Sequence, residues 1–227
     1  MKGLKFLILI ISVFIVSCQG RNLILNEVNE RYKNHHLKKF NQDFVSHFPD
    51  KISSLSNRVI STENVPRGFI GMLLYEYNIN VDSLIKIEDR LKSISIKKYN
   101  SDADCLLVIN RFDTLESSKF PEGIILPDSV QLNKSCYDTL LPIPKFYEYE
   151  SEVYHPKKQQ NRNEVEGETM LPSGFNIYVL EAKPGKYFEK YDIIPNRQMP
   201  DGWKNGYSKG VAISVKYQTI IYWSVAF

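Results

Sequence analysis

Apolar and aromatic positions recur every four residues through the first part of the chain: Val28, Tyr32, His36, Phe40, Phe44 and Phe48, with Leu25 one turn earlier. That spacing predicts a helix over residues 22–48, stopped by Pro49. A fourfold repeat outruns a 3.6-residue turn, so the stripe must wind around the helix or the helix must bend. Pro66-Arg67-Gly68 marks a turn, and residues 69–77 read as a strand. Residues 81–94 read as a helix with Leu84, Ile87 and Leu91 on its apolar side and Asp82 or Ser83 as its cap. Residues 105–112 read as a second, buried strand. This strand–helix–strand order fits a crossover unit or an antiparallel return. Residues 113–144 are proline-punctuated and irregular, 145–154 alternate as an exposed strand, and 155–168 form a hydrophilic loop. Residues 174–182 read as a strand, and 210–217 with 220–226 as a closing hairpin that turns near Gln218-Thr219. No internal repeat is present. The order of elements predicts an α+β fold, an N-terminal amphipathic helix packed on a mainly antiparallel β-sheet domain. Residues 18–227 form a single domain, with the helix at 22–48 and a sheet-containing body at 49–227.

The first seventeen residues follow another pattern. Lys2 and Lys5 precede an apolar run over 6–16, interrupted only by Ser12. A helix of that length rises roughly 16 Å, whereas a hydrocarbon core of about 30 Å needs roughly 20 apolar residues. The run therefore fits the apolar region of a secretory signal rather than a membrane span. No second run approaches spanning length. Ile15-Val16-Ser17-Cys18 resembles the lipobox of bacterial lipoproteins. Ser17 supplies the small residue wanted before the cut, and Ile15 stands where that family more often has leucine. The resemblance covers residues 1–20. It implies that 1–17 are a signal peptide and that the Cys18 thiol receives a diacylglyceryl group. The body would then be tethered to a bilayer by palmitate-type chains without crossing it. Gln19-Gly20-Arg21 holds neither an aspartate after the cysteine nor an acidic cluster. The expected location is the outer membrane, facing the periplasm.

Composition narrows the partners. The leader carries two lysines and no acid, so its removal takes the formal charge from +3 to +1. That balance does not suggest nucleic acid as a partner. Cys105 and Cys136 are then the only remaining thiols. An envelope location permits a disulfide between them. The run Cys105-Leu-Leu-Val-Ile instead suggests a buried free thiol acting as a small hydrophobe.

Candidate chemistry is sparse. Glu148, Glu150 and Glu152 share one face of a presumed strand, with His155 beyond, a set of oxygens that suits calcium or magnesium. A solvated sheet face explains them as simply, so no metal is assigned. Asp102 and Asp104 form a second acidic pair, readable as turn caps. Ser83-Leu-Ile-Lys86 matches S-x-x-K, but Ser95-Ile-Lys-Lys98 does too and no K-T-G follows. Neither H-E-x-x-H, G-x-S-x-G nor a glycine-rich phosphate loop occurs, and no cofactor is expected. His35 and His36 are adjacent, so on a helix their rings diverge; His36 is expected to pack on the stripe. The aromatics Trp203, Tyr207, Tyr222 and Trp223 suit sugar stacking or a protein hot spot, although strand alternation would turn half of them inward. The expectation is a non-enzymatic envelope lipoprotein binding a protein or glycan, of the immunity or accessory type. The competing reading is an envelope hydrolase using carboxylates such as Asp102, Asp104 or Glu150.

Overall fold

The computed structural model describes residues 23–62, 70–111, 134–146 and 169–227. Helix α1 covers residues 23–31 and the short α2 covers Gln42–Val45. Strands β1 (Asn57–Thr62) and β2 (Ile70–Glu76) precede helix α3 (Val81–Ile94). Strands β3 (Lys97–Asn100), β4 (Asn176–Pro184), β5 (Gly206–Ser214) and β6 (Thr219–Ala226) complete a six-stranded sheet in the order β1-β2-β6-β5-β4-β3. Every neighbouring pair is antiparallel. The fold is thus α+β with an antiparallel sheet. By this order β2 and β3 run parallel with three strands between them, so α3 is a crossover along the sheet.

Both faces of the sheet are covered, which explains why β2 and β6 are buried at every position. Alternation sorts their side chains. Met72, Leu74, Val211, Ile213, Ile220 and Tyr222 meet side chains from the helical segments, among them Tyr32, Phe44, Phe48, Leu84 and Leu91. Leu73, Tyr75, Ile177, Ala212, Ile221 and Trp223 meet an irregular layer that includes residues 106–109, Tyr137, Ile143, Phe146 and Phe175. Gly210 pairs with Trp223 across β5 and β6, and a Cβ there would strike both the indole and the Tyr178 carbonyl. Only glycine leaves room for the indole at that position.

Several expectations are corrected. The continuous helix over 22–48 is broken. After α1 the chain takes a π turn at Tyr32–His36 and a 3-10 turn at Leu37–Lys39. Phe40 and Asn41 are then extended, and the Asn41 side chain caps α2 by accepting from Phe44 N at 2.9 Å. A π turn takes more residues than an α turn, which lets a fourfold repeat stay on one side. Tyr32, Phe40, Phe44 and Phe48 are all buried. Helix α3 matches its expected bounds, but its cap is Asn80, whose side chain accepts from Asp82 N (2.9 Å) and Ser83 N (3.3 Å). Asp82 and Ser83 already lie in the first turn, where their own amides need a cap. The expected strand at 105–112 forms no ladder over its described residues, 105–111. Residues 106–111 are buried, yet only Val108 bridges, in parallel with Ile143. The sheet edge is instead β3, where Tyr99 alone is buried and Lys97 and Lys98 supply edge charge. Expectations on 145–154 and 155–168 fall largely or wholly outside the described residues.

Candidate functional site

Strand β4 carries a bulge: Val179 pairs with Gly210, and Glu181 with Lys209. The extra residue turns Glu181 toward the helical face, where register also places Lys183 and Tyr207. Glu181 lies 2.6 Å from Lys183 Nζ and 2.8 Å from Lys209 Nζ. Hydrogen bonds from Lys183, then Lys209 and the Tyr207 hydroxyl, hold its carboxyl down to about 2. Burial, then the Glu181 contact, pushes the Tyr207 phenol up to about 12. Lys209 also donates to the Asp43 carbonyl at 2.8 Å, which ties α2 to the sheet.

The loop over 185–205 leaves β4 at this point. Gly185 has φ of 120°, and the 3-10 turn Glu189–Tyr191 is flanked by two non-glycine residues in the left-handed region, Phe188 (φ 59°) and Asp192 (φ 46°). Such conformations cost roughly 1–3 kcal/mol each and persist only where the surroundings impose them. Aromatic packing does so here: the Phe188 ring meets Phe44 edge-on at 4.8 Å, and Tyr187 meets Tyr207 at 4.5 Å. Asn196 N donates to Lys204 O at 2.7 Å, and the Asn196 amide donates to Asn110 Oδ1. The loop is thereby fixed from both sides of the sheet. An open cleft of about 240 Å³ lies against it, lined by Lys186, Tyr187, Glu189, Asp192, Asn205 and Phe227 among others. Ile194, 60 % exposed, follows the cleft-lining Ile193. An ammonium, two carboxylates and an amide around aromatic walls provide recognition chemistry, with donors and acceptors beside an apolar surface.

The expected aromatic patch does not form. Trp223 is fully buried in the irregular layer and Tyr222 is buried on the opposite face. Adjacent strand residues point to opposite sides, and here both sides are sealed. Trp203, in the 3-10 turn Asp201–Trp203, is half-buried beside Gly206, and Tyr207 is half-buried beside Glu181. Asp102 and Asp104 are exposed, and Asp102 accepts from Ser173 Oγ at 3.1 Å. Cys105 and Cys136 are joined in a disulfide with a Cα separation of 6.5 Å, rather than standing as two thiols. The apolar run after Cys105 suggested burial of the residue, but both cysteines are partly exposed and meet at the rim of the irregular layer.

His36 Nδ1 lies 2.8 Å from Ser61 Oγ, and His47 Nε2–H donates to the Trp223 carbonyl at 2.9 Å. Residues 1–17, Cys18, Glu148, Glu150, Glu152 and His155 lie outside the described residues. Among the described residues no cluster of His, Cys, Asp and Glu could hold a metal ion, and no helix is long and apolar enough to cross a membrane. Glu181, Lys183, Lys186, Glu189 and Asp192 escaped sequence reasoning. The last three had one signal, the charged run after Lys183-Pro-Gly, dense in lysine and tyrosine. No known protein family, characterised protein or solved structure matches the chain.

Proposed function

We propose that this chain is a lipid-anchored envelope protein, tethered through Cys18 to the outer membrane on its periplasmic side. It acts there as a non-catalytic binding module for a protein or glycan. The Cys105–Cys136 disulfide is the observation that carries the location. Such bonds persist in oxidising compartments, the bacterial periplasm among them, and are rare in the cytosol. The bond is independent of the leader, so two unrelated features agree on export. The fixed loop over 185–205 and its cleft support the binding role, because loops held by a rigid scaffold carry recognition. In this reading α1 packs on the helical face and leads from the anchor to the sheet.

The test is metabolic labelling with palmitate in the native host. Wild-type protein takes up label and sediments with membranes, while Cys18→Ser does neither. Trapping thiols before lysis finds Cys105 and Cys136 oxidised. A photo-crosslinker at Ile194 gives a discrete adduct in cells. An unlabelled product, or reduced cysteines, overturns the anchor and the location. A crosslinker that yields no adduct overturns the binding role.

A further inference from the structure

The first helix offers an apolar tip to water. Leu23 is 70 % exposed and Ile24 is 55 % exposed, side by side at the start of α1. That helix is not a loose arm. Ile52 N donates to Asn29 Oδ1 at 2.7 Å, and Val28 packs against the helical-face core. Ile52 in turn precedes Ser53, whose amide and hydroxyl both donate to the buried Glu76 carboxylate, at 2.6 and 2.8 Å. Asn29 is therefore fixed near the Glu76 end of the strands, whereas the cleft includes Asn205 and Phe227 at the Gly206 end. Leu23 lies only five residues after Cys18. A fully extended chain of that length reaches at most about 18 Å.

We infer that Leu23 and Ile24 insert into the interface of the leaflet that holds the anchor, and that this second contact docks the body directly on the membrane. The inference rests on the lipid-anchor reading above. A tether this short keeps the apolar pair within reach of the headgroups. The docked end is then opposite the cleft end, and the cleft faces away from the bilayer.

The experiment uses full-length, host-processed protein carrying an environment-sensitive fluorophore on Leu23→Cys or, separately, on Ile194→Cys. Each is reconstituted in vesicles of phosphatidylethanolamine and phosphatidylglycerol that contain nitroxide-labelled lipid. The expected result is a blue-shifted, strongly quenched probe at residue 23 and an aqueous, unquenched probe at 194. Adding Ile24→Asp reduces quenching at 23 while circular dichroism is unchanged. Palmitate on Cys18 together with an aqueous probe at 23 overturns the docking alone. Absence of palmitate overturns the anchor and the docking with it.

Discussion

The two faces of the sheet are both sealed, but by different means. On one side α3 presents Leu84 and Leu91 at helical spacing, and short helical turns present Tyr32, Phe44 and Phe48. On the other side the cover is mostly irregular chain, residues 106–109, Ile143, Phe146 and Phe175, with Tyr137 from the 3-10 turn Ser135–Thr139. A helix satisfies its own backbone, whereas irregular buried chain must find each partner separately. The irregular layer does so with the Val108–Ile143 bridge, with Ser101 Oγ donating to Pro172 O (2.8 Å), and with Ser208 Oγ donating to Pro142 O (2.6 Å). It also carries the disulfide. Periodic packing adds to such point attachments on the helical side, where Lys209 and His47 also tie the cover to the sheet; on the irregular side one of the attachments is covalent.

The largest effect expected from breaking this contrast is on the disulfide. Closing a loop with a sequence separation of 31 contributes about 3.5 kcal/mol in the chain-entropy description. A double Cys105→Ser, Cys136→Ser variant loses about that much stability in urea. Hydrogen exchange then accelerates at residues 106–109 before it does at 84–91. Uniform acceleration across both layers would erase the distinction. Next comes acid. Burial holds the His47 imidazole down to about 4, and its Nδ1 is shielded from water. The unfolded chain takes up that proton near 6.5 and the folded chain only near 4. Stability is therefore complete above about pH 6.5 and falls as pH drops toward 4, by on the order of 3 kcal/mol. His47→Gln keeps a donor for the Trp223 carbonyl and flattens that slope in thermal melts across the pH range. The smallest effect is Asn80→Ala, which removes the α3 cap and costs about 1 kcal/mol, seen as a lower urea midpoint with the disulfide untouched.

The helical cover was also the legible one. Residues 81–94 announced themselves by period, and the closing hairpin by its two β-branched runs around Gln218, which the structure places in a left-handed turn at φ 49°. The segment after Cys105 read as a strand because an apolar run records burial, not hydrogen-bond partners. β3 was missed because four residues with a single buried side chain carry almost no periodic signal. The candidate site was less legible still. Tyr222 and Trp223 drew attention as aromatics, but alternation along β6 sends them to two different interiors. Glu181 was invisible because its direction depends on one bulged residue, and a one-residue slip exchanges the faces of a strand.

Strand order carries a last consequence, for biogenesis. β6 lies between β2 and β5, so of the described strands the one furthest along the sequence joins the two halves of the sheet. A nascent chain lacking residues 219–226 holds only a β1–β2 hairpin and a separate β3–β4–β5 group. Such a chain cannot close its core, and the native sheet stays out of reach until β6 has been made, by topology alone.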